Sequence, residues 1–218
     1  MTNWEVYNLC QYILNEEESG NALTPADFDR LLKICSTEMM RNLCKDYEEG
    51  QEITDSLKRF KSVAPLTFDT NGQSTTLPAN YYRKSFLMFG PPGSKIWTEF
   101  VTDYDFAFRE NRYLDGPTAR HPYARFTNDG VGNNILEIRP IPSAITSGAF
   151  NYLRRPNEPV FDYYYDSNGR IVPLVGTPLD FEREEILGIV GMIVEKAGAN
   201  LKAGDVISYA EKFKADQK

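Results

Sequence analysis

One histidine, His121, and three cysteines, Cys10, Cys35 and Cys44, are all the imidazole and thiolate ligands that this chain of 218 residues can offer a metal. No C-x-x-C pair occurs, and the cysteines all lie in the first 45 residues, far from the histidine. A structural zinc site takes four Cys or His ligands set close together, so no metal and no cofactor are expected. Three cysteines in helical stretches read instead as small core hydrophobes in a reducing compartment. Long apolar runs are missing too. The most apolar stretch, Ile186 to Val194, is interrupted by Gly188 and Gly191 and is far shorter than the ~18 residues of a membrane span. No membrane partner is expected. The opening Met1-Thr2-Asn3-Trp4 has neither a basic nor an apolar leader region, so no secretory signal is expected.

Positive charge is also short: 24 Lys and Arg stand against 31 Asp and Glu, a net charge of −7. Sequence-independent binding to a phosphate backbone is disfavoured on average by such a balance.

What is present is unevenly placed. Residues 1–60 hold 6 basic and 12 acidic side chains, 61–175 hold 12 and 11, and 176–218 hold 6 and 8. The middle stretch also carries 19 of the 28 aromatics and 11 of the 13 prolines, which suits short strands and turns and opposes helices. The expected class is α+β, with three regions: an N-terminal helical hairpin over 1–60, a central antiparallel β domain with long loops over 61–175, and C-terminal helices over 176–218.

The helical readings rest on periodicity. Val6, Leu9, Cys10, Ile13 and Leu14 recur at spacings of three and four. Ser19-Gly20-Asn21 breaks that pattern. Thr24 is a capping residue, Pro25 suits the first helical position, and Asp27 places a carboxylate in the first turn. Phe28, Leu31, Leu32, Cys35, Met39 and Leu43 form the expected inward stripe up to Glu48-Glu49-Gly50. A last pair of helices is expected over 181–196 and 203–215.

In the middle, strands are expected over 62–68, 82–89, 96–101, 134–139, 149–154, 159–165 and 171–175, with 149–154 and 159–165 pairing. Asp69-Thr70-Asn71-Gly72 and Ser167-Asn168-Gly169-Arg170 are turn signals. Residues 103–113 suit either a strand or a helix, and 114–133 read as a long irregular piece.

Each chemical motif has a plainer reading beside it. Gly90-Pro91-Pro92-Gly93-Ser94-Lys95 lacks the spacing and the second glycine of a phosphate-binding loop, and a strand follows where a helix is needed. His121 sits in a proline-bearing loop without the partners a general base needs, and reads as a structural or interface residue, with Arg125 nearby. Asp103 with Asp105 and Asp162 with Asp166 are the carboxylate pairs that a glycan hydrolase would use, but salt-bridged or solvated faces are the commoner fate of such residues. Arg154 and Arg155 with Tyr163, Tyr164 and Tyr165 are residue types that stack bases and neutralise phosphate, and equally those enriched where proteins meet. No catalytic residue is expected.

The block Ile135-Leu136-Glu137-Ile138-Arg139-Pro140-Ile141-Pro142, followed by Asn151-Tyr152-Leu153-Arg154-Arg155-Pro156-Asn157-Glu158-Pro159-Val160, resembles small structural proteins of tailed phages of Bacteroidota hosts, the crAss-like podoviruses in particular. The opening helix ending in Asn15, the Leu23-Thr24-Pro25-Ala26-Asp27-Phe28 segment, Ile53-Thr54-Asp55-Ser56-Leu57-Lys58-Arg59-Phe60 and the acidic start of the closing helix at Phe181 extend the likeness along the chain. The resemblance implies a virion component made in the host bacterial cytoplasm and no enzyme: a subunit of an oligomeric ring in the neck or tail. Its partners would be copies of itself, the portal and other neck or tail proteins, with passive contact with translocating DNA. The alternatives are a tail-associated glycan hydrolase acting through the carboxylates above and a DNA-binding accessory protein.

Overall fold

The computed structural model describes residues 1–16, 23–45, 47, 56–89, 95–109, 112, 116–140, 147–198, 209 and 212. In chain order the elements are α1 (Asn3–Glu16), α2 (Pro25–Lys45), a 3-10 turn (Lys58–Phe60), β1 (Lys61–Thr67), β2 (Tyr81–Phe89), β3 (Ile96–Phe100), α3 (Asp103–Arg109), β4 (Tyr123–Asn128), β5 (Asn134–Arg139), β6 (Ser147–Arg154), β7 (Tyr163–Tyr165), β8 (Ile171–Pro173) and α4 (Arg183–Lys196). The fold is α+β. Two compact units form: Met1–Lys58 with Pro156–Lys218, and Arg59–Arg155. The β7–β8 hairpin thus belongs with the helices, although its composition groups it with the strands of 61–175. The expected breaks at 19–21 and 48–50, the Gly90–Lys95 loop up to residue 94, and most of 203–215 lie outside the described residues.

Three helices start on the same device. Thr2 Oγ1, Thr24 Oγ1 and Thr102 Oγ1 each accept the backbone N–H three residues on, from Glu5, Asp27 and Asp105. The acidic side chain answers back, to the Thr2 backbone N–H and to the Thr24 and Thr102 hydroxyls. This reciprocal box satisfies donors that a helix start leaves orphaned. It also decides the start of the ambiguous 103–113 stretch: Thr102-x-x-Asp105 begins a helix over Asp103–Arg109, and 110, 111 and 113 lie outside the described residues.

In the helical unit, α4 packs on both α1 and α2. The α1 stripe is buried as expected. On α2 the buried line runs Phe28, Leu32, Cys35, Ser36, Met40 and Cys44, leaving Leu31, Met39 and Leu43 half-covered. Burial pushes the thiols of Cys10 and Cys35 above their ordinary range, that of Cys35 to about 12. They remain protonated core atoms.

In the β unit, six strands form one sheet in the order β1-β6-β2-β3-β4-β5. All neighbours are antiparallel except β3 and β4, which run parallel, because α3 intervenes and carries the chain back between them. The sequence expectation of a purely antiparallel sheet is corrected here. Two further corrections concern 114–133 and 159–165. The first contains a regular strand, β4, six residues paired in full with β5. The second does not pair with β6, which lies between β1 and β2; instead β7 pairs with β8.

The sheet curls. Residues 72–77 run along the free edge of β5, where Ser74 exchanges bonds with Leu136, Leu77 N–H donates to the Asn134 carbonyl, and Ile138 N–H donates to the Gly72 carbonyl. The same stretch returns to β1, with Thr75 N–H donating to the Thr67 carbonyl. This strap joins the two edge strands and covers edges that would otherwise offer unpaired backbone. Leu66, Phe68, Leu87, Phe89, Ala124, Leu136, Ile138 and Phe150 fill the interior. Gly148 is needed there: a Cβ would lie 2.7 Å from the Phe89 ring.

Candidate functional site

The β7–β8 hairpin is the middle of a longer ribbon. Val160 N–H donates to the Thr177 carbonyl at its base, Leu174 N–H to the Asp162 carbonyl above it, and the strands then pair from Tyr163 opposite Pro173 to Tyr165 opposite Ile171. At the tip, Asp166 Oδ1 accepts the N–H groups of Asn168 and Arg170, with Gly169 at positive φ. Gly176 lets the two legs close, since a Cβ there would overlap the Val160 carbonyl oxygen.

The base of this arm is riveted to the helices. The buried Asn3 of α1 donates through Nδ2 to the Val160 and Thr177 carbonyls at 2.9 and 2.7 Å, and its Oδ1 accepts from Leu179 N–H. Asp29 of α2 accepts the Phe161 N–H at 2.9 Å. The Phe161 ring lies 4.9 Å from Phe28, 5.1 Å from Tyr7 and 6.1 Å from Trp4, stacked flat on the last. From Phe161 the rings continue outward through Tyr163 to Tyr165. Beyond that anchor the arm carries Tyr164, Tyr165, Leu174 and Val175, all exposed, with Val175 fully so. An apolar ribbon of this kind is the sort of surface that meets a partner.

The sequence candidates therefore separate. Tyr163, Tyr164 and Tyr165 are on the arm. Arg154 ends β6 in the other unit and Arg155 follows it; the Arg154 guanidinium lies 5.5 Å over the Phe60 ring and bonds the Arg155 carbonyl. The two groups belong to different units.

Arg125 is a strut of the β unit. Its Nε and Nη2 donate to Glu137 at 2.9 and 2.7 Å, its Nη1 reaches Asp103 at 3.4 Å, and its guanidinium covers the Phe106 ring at 4.5 Å. Arg139 grips the other oxygen of the buried Glu137 at 2.7 Å. The cluster ties α3 to β4 and β5. His121 is exposed, in a bridge with Thr118, on the rim of an open cleft of about 660 Å3 lined also by Glu99, Asp105, Arg109 and Tyr123. Arg109 sits between the Glu99 and Asp105 carboxylates at 3.9 and 3.8 Å, and a hydrogen bond with Tyr123 raises its already high basicity.

The carboxylate pairs do not converge on a common point. Asp103 turns to Arg125, and Asp105 to Thr102 and Arg109. Asp166 is spent on its own turn, and Asp162 stands a strand's length away, ~13 Å at 3.3 Å per residue. Among the described residues, no group of three or more His, Cys, Asp or Glu is placed to hold a metal ion. No described helix is long and apolar enough to cross a membrane.

The anchors Asn3, Asp29 and Phe161 were not legible from the sequence. Nothing local distinguishes them; they act across more than 130 positions of chain. No protein-family model matches this chain, and no curated protein is significantly similar to it in sequence.

Proposed function

We propose that this protein is a virion structural protein of a tailed phage, a subunit of an oligomeric ring in the neck or tail at the head-to-tail connection. It works by contact and not by chemistry. The observation that carries the reading is the arm: five of the large hydrophobic side chains that the protein leaves exposed, Val160, Tyr164, Tyr165, Leu174 and Val175, lie on one ribbon of the chain. A two-stranded ribbon has little stability of its own in water. This one is fastened at its base and left bare along its length, which suits insertion against a neighbour. Ring subunits meet through head-to-tail contacts of that kind, in which one patch docks on a different patch of the next copy. The resemblance to crAss-like phage structural proteins points the same way. In this reading the N-terminal helices and α4 form the platform of the arm, and the central β unit is the body on which a neighbour rests.

The test is the mass of the assembled protein. Native mass spectrometry and electron microscopy of the purified chain, alone and with a cognate portal, should give a closed ring of one stoichiometry. A protein that remains strictly monomeric at high concentration and joins no portal or tail partner overturns the proposal.

A further inference from the structure

The outer face of the curled sheet has the wrong chemistry for water. Strand positions alternate between faces, and one face is expected to be polar when solvated. Here Ala64, Leu66, Leu87, Phe89, Phe150 and Tyr152 point into the core. The register places the alternate residues in rows across neighbouring strands on the opposite face. One row runs Pro65, Ala149, Met88, Trp97; the next runs Val63, Asn151, Phe86. Val63 is 64% and Trp97 58% exposed, and the Phe86 and Trp97 rings meet 5.1 Å apart. A third row, Lys61, Leu153, Arg83, sets two cations on either side of Leu153, which is itself fully buried. Strands β1, β2 and β6 carry no acidic residue, and β3 carries one, Glu99, two positions from Trp97 on the same face.

The two units differ sharply in charge. Arg59–Arg155 holds 12 basic and 8 acidic side chains, net +4, and the helical unit holds 12 and 23, net −11. On the arm, Asp162 and Asp166 bracket the three tyrosines.

We infer that the outer face of β1, β6, β2 and β3 is the seat for the β7–β8 arm of a second copy of this chain. This rests on the assembly reading above and supplies its two complementary surfaces. Tyr165 and Val175, the exposed apolar residues furthest out on the two legs, lie on the rows of Val63, Met88 and Trp97. A second copy is the occupant that the charges favour, because every copy brings both the unit of net charge −11 that carries the arm and the unit of net charge +4 that carries the face. Nucleic acid is disfavoured by the apolar rows, which offer phosphate nothing, and by the net charge of −7. Since the two patches differ, the contact is heterologous and leaves one arm and one face open until a ring closes.

The experiment uses the full chain in two variants. One spoils the face (Val63→Glu with Trp97→Glu), the other the arm (Tyr165→Asp with Val175→Asp). Native mass spectrometry should show oligomers for the unaltered chain, loss of oligomers for each variant alone, and dimers with nothing larger when the variants are mixed in equal amounts. That mixture can make one intact contact and no second. Trp97→Lys alone, a milder change at an exposed site, should shift the distribution toward monomer, and circular dichroism checks that each variant is folded. Oligomers that survive both double variants overturn this docking and leave the ring itself standing. An unaltered chain that never assembles overturns both. Binding to duplex DNA that the face variant abolishes, with self-association unaffected, also overturns the inference.

Discussion

In the helical unit, Phe161 is enclosed by Trp4, Tyr7 and Phe28 at 4.9 to 6.1 Å, and its backbone is held by Asp29. In the β unit, Phe86 and Trp97 meet at a similar distance on the outside of the sheet. The same residue types serve opposite ends. One cluster closes the base of the arm; the other leaves Phe86 half-covered and Trp97 exposed. Aromatic content alone does not separate core from interface, whereas burial on one face of a strand does.

Truncation should break this symmetry most strongly. Phe161→Ala removes a ring from a closed cluster and should cost about 3–5 kcal/mol, read as a fall in the urea midpoint of the helical signal. Trp97→Ala in the monomer should cost under about 1 kcal/mol, because it opens no cavity. Equal losses at the two sites would show that the outer face is part of the monomer's core.

The next largest effect is expected in the β unit. Glu137 is buried between Arg125 and Arg139, which approach to 2.7 Å on either oxygen. Glu137→Ala leaves two guanidinium groups facing each other with no carboxylate between them and should cost about 2–3 kcal/mol. It should also loosen α3, which Arg125 holds through Asp103 and Phe106. Hydrogen exchange over 103–109 checks this; unchanged protection there would separate the ion cluster from the helix.

A smaller effect tests the arm itself. Gly169 has φ of 76° at the tip and Gly132 has φ of 102° in the β4–β5 turn. Alanine in that region costs about 1–2 kcal/mol. In the β4–β5 turn the loss should appear in global stability, since both strands belong to the main sheet. At Gly169 it should appear as faster exchange in the arm with little global change, because the arm is anchored at its base. A global loss at Gly169 would mean that the arm folds as part of the helical core.

These comparisons also show what was legible in the sequence. The stripe Val6, Leu9, Cys10, Ile13, Leu14 and the alternation from Asn134 to Arg139 report local periods, and both elements form. Thr102 and Asp105 carried a helix-start signal as clear as Thr24 and Asp27. It was obscured because Phe106 and Phe108 alternate like a strand. β4 was hidden by the glycines and asparagines that follow it, which belong to its turn and not to the strand. The outer face could not be read from one strand at a time. Pro65, Ala149, Met88 and Trp97 form a row only after four strands are registered, and the anchor from Asn3 to Thr177 spans almost the whole chain.

The smallest expected effect concerns a turn that recurs three times among the described residues. Asp69, Asp129 and Asp166 each accept backbone N–H bonds from residues two and four positions on, with a glycine at the fourth place. Only at Asp129 is the fifth residue an asparagine, and Asn133 Nδ2 donates to the second carboxylate oxygen at 2.7 Å. That bond, with the N–H of Val131, holds the Asp129 carboxyl below its usual value of about 4. The ionised form is the one that the fold favours. Its stabilisation is complete above the ordinary carboxylate range and is lost as the pH falls through the lowered value. The β4–β5 turn should therefore stay closed at pH 5 and open only in stronger acid, and Asn133→Ala should bring the Asp129 titration back toward the ordinary value. An NMR titration of the Asp129 carboxyl carbon in both proteins decides it. An unchanged midpoint in the variant would assign the lowering to the backbone N–H groups that all three turns have in common.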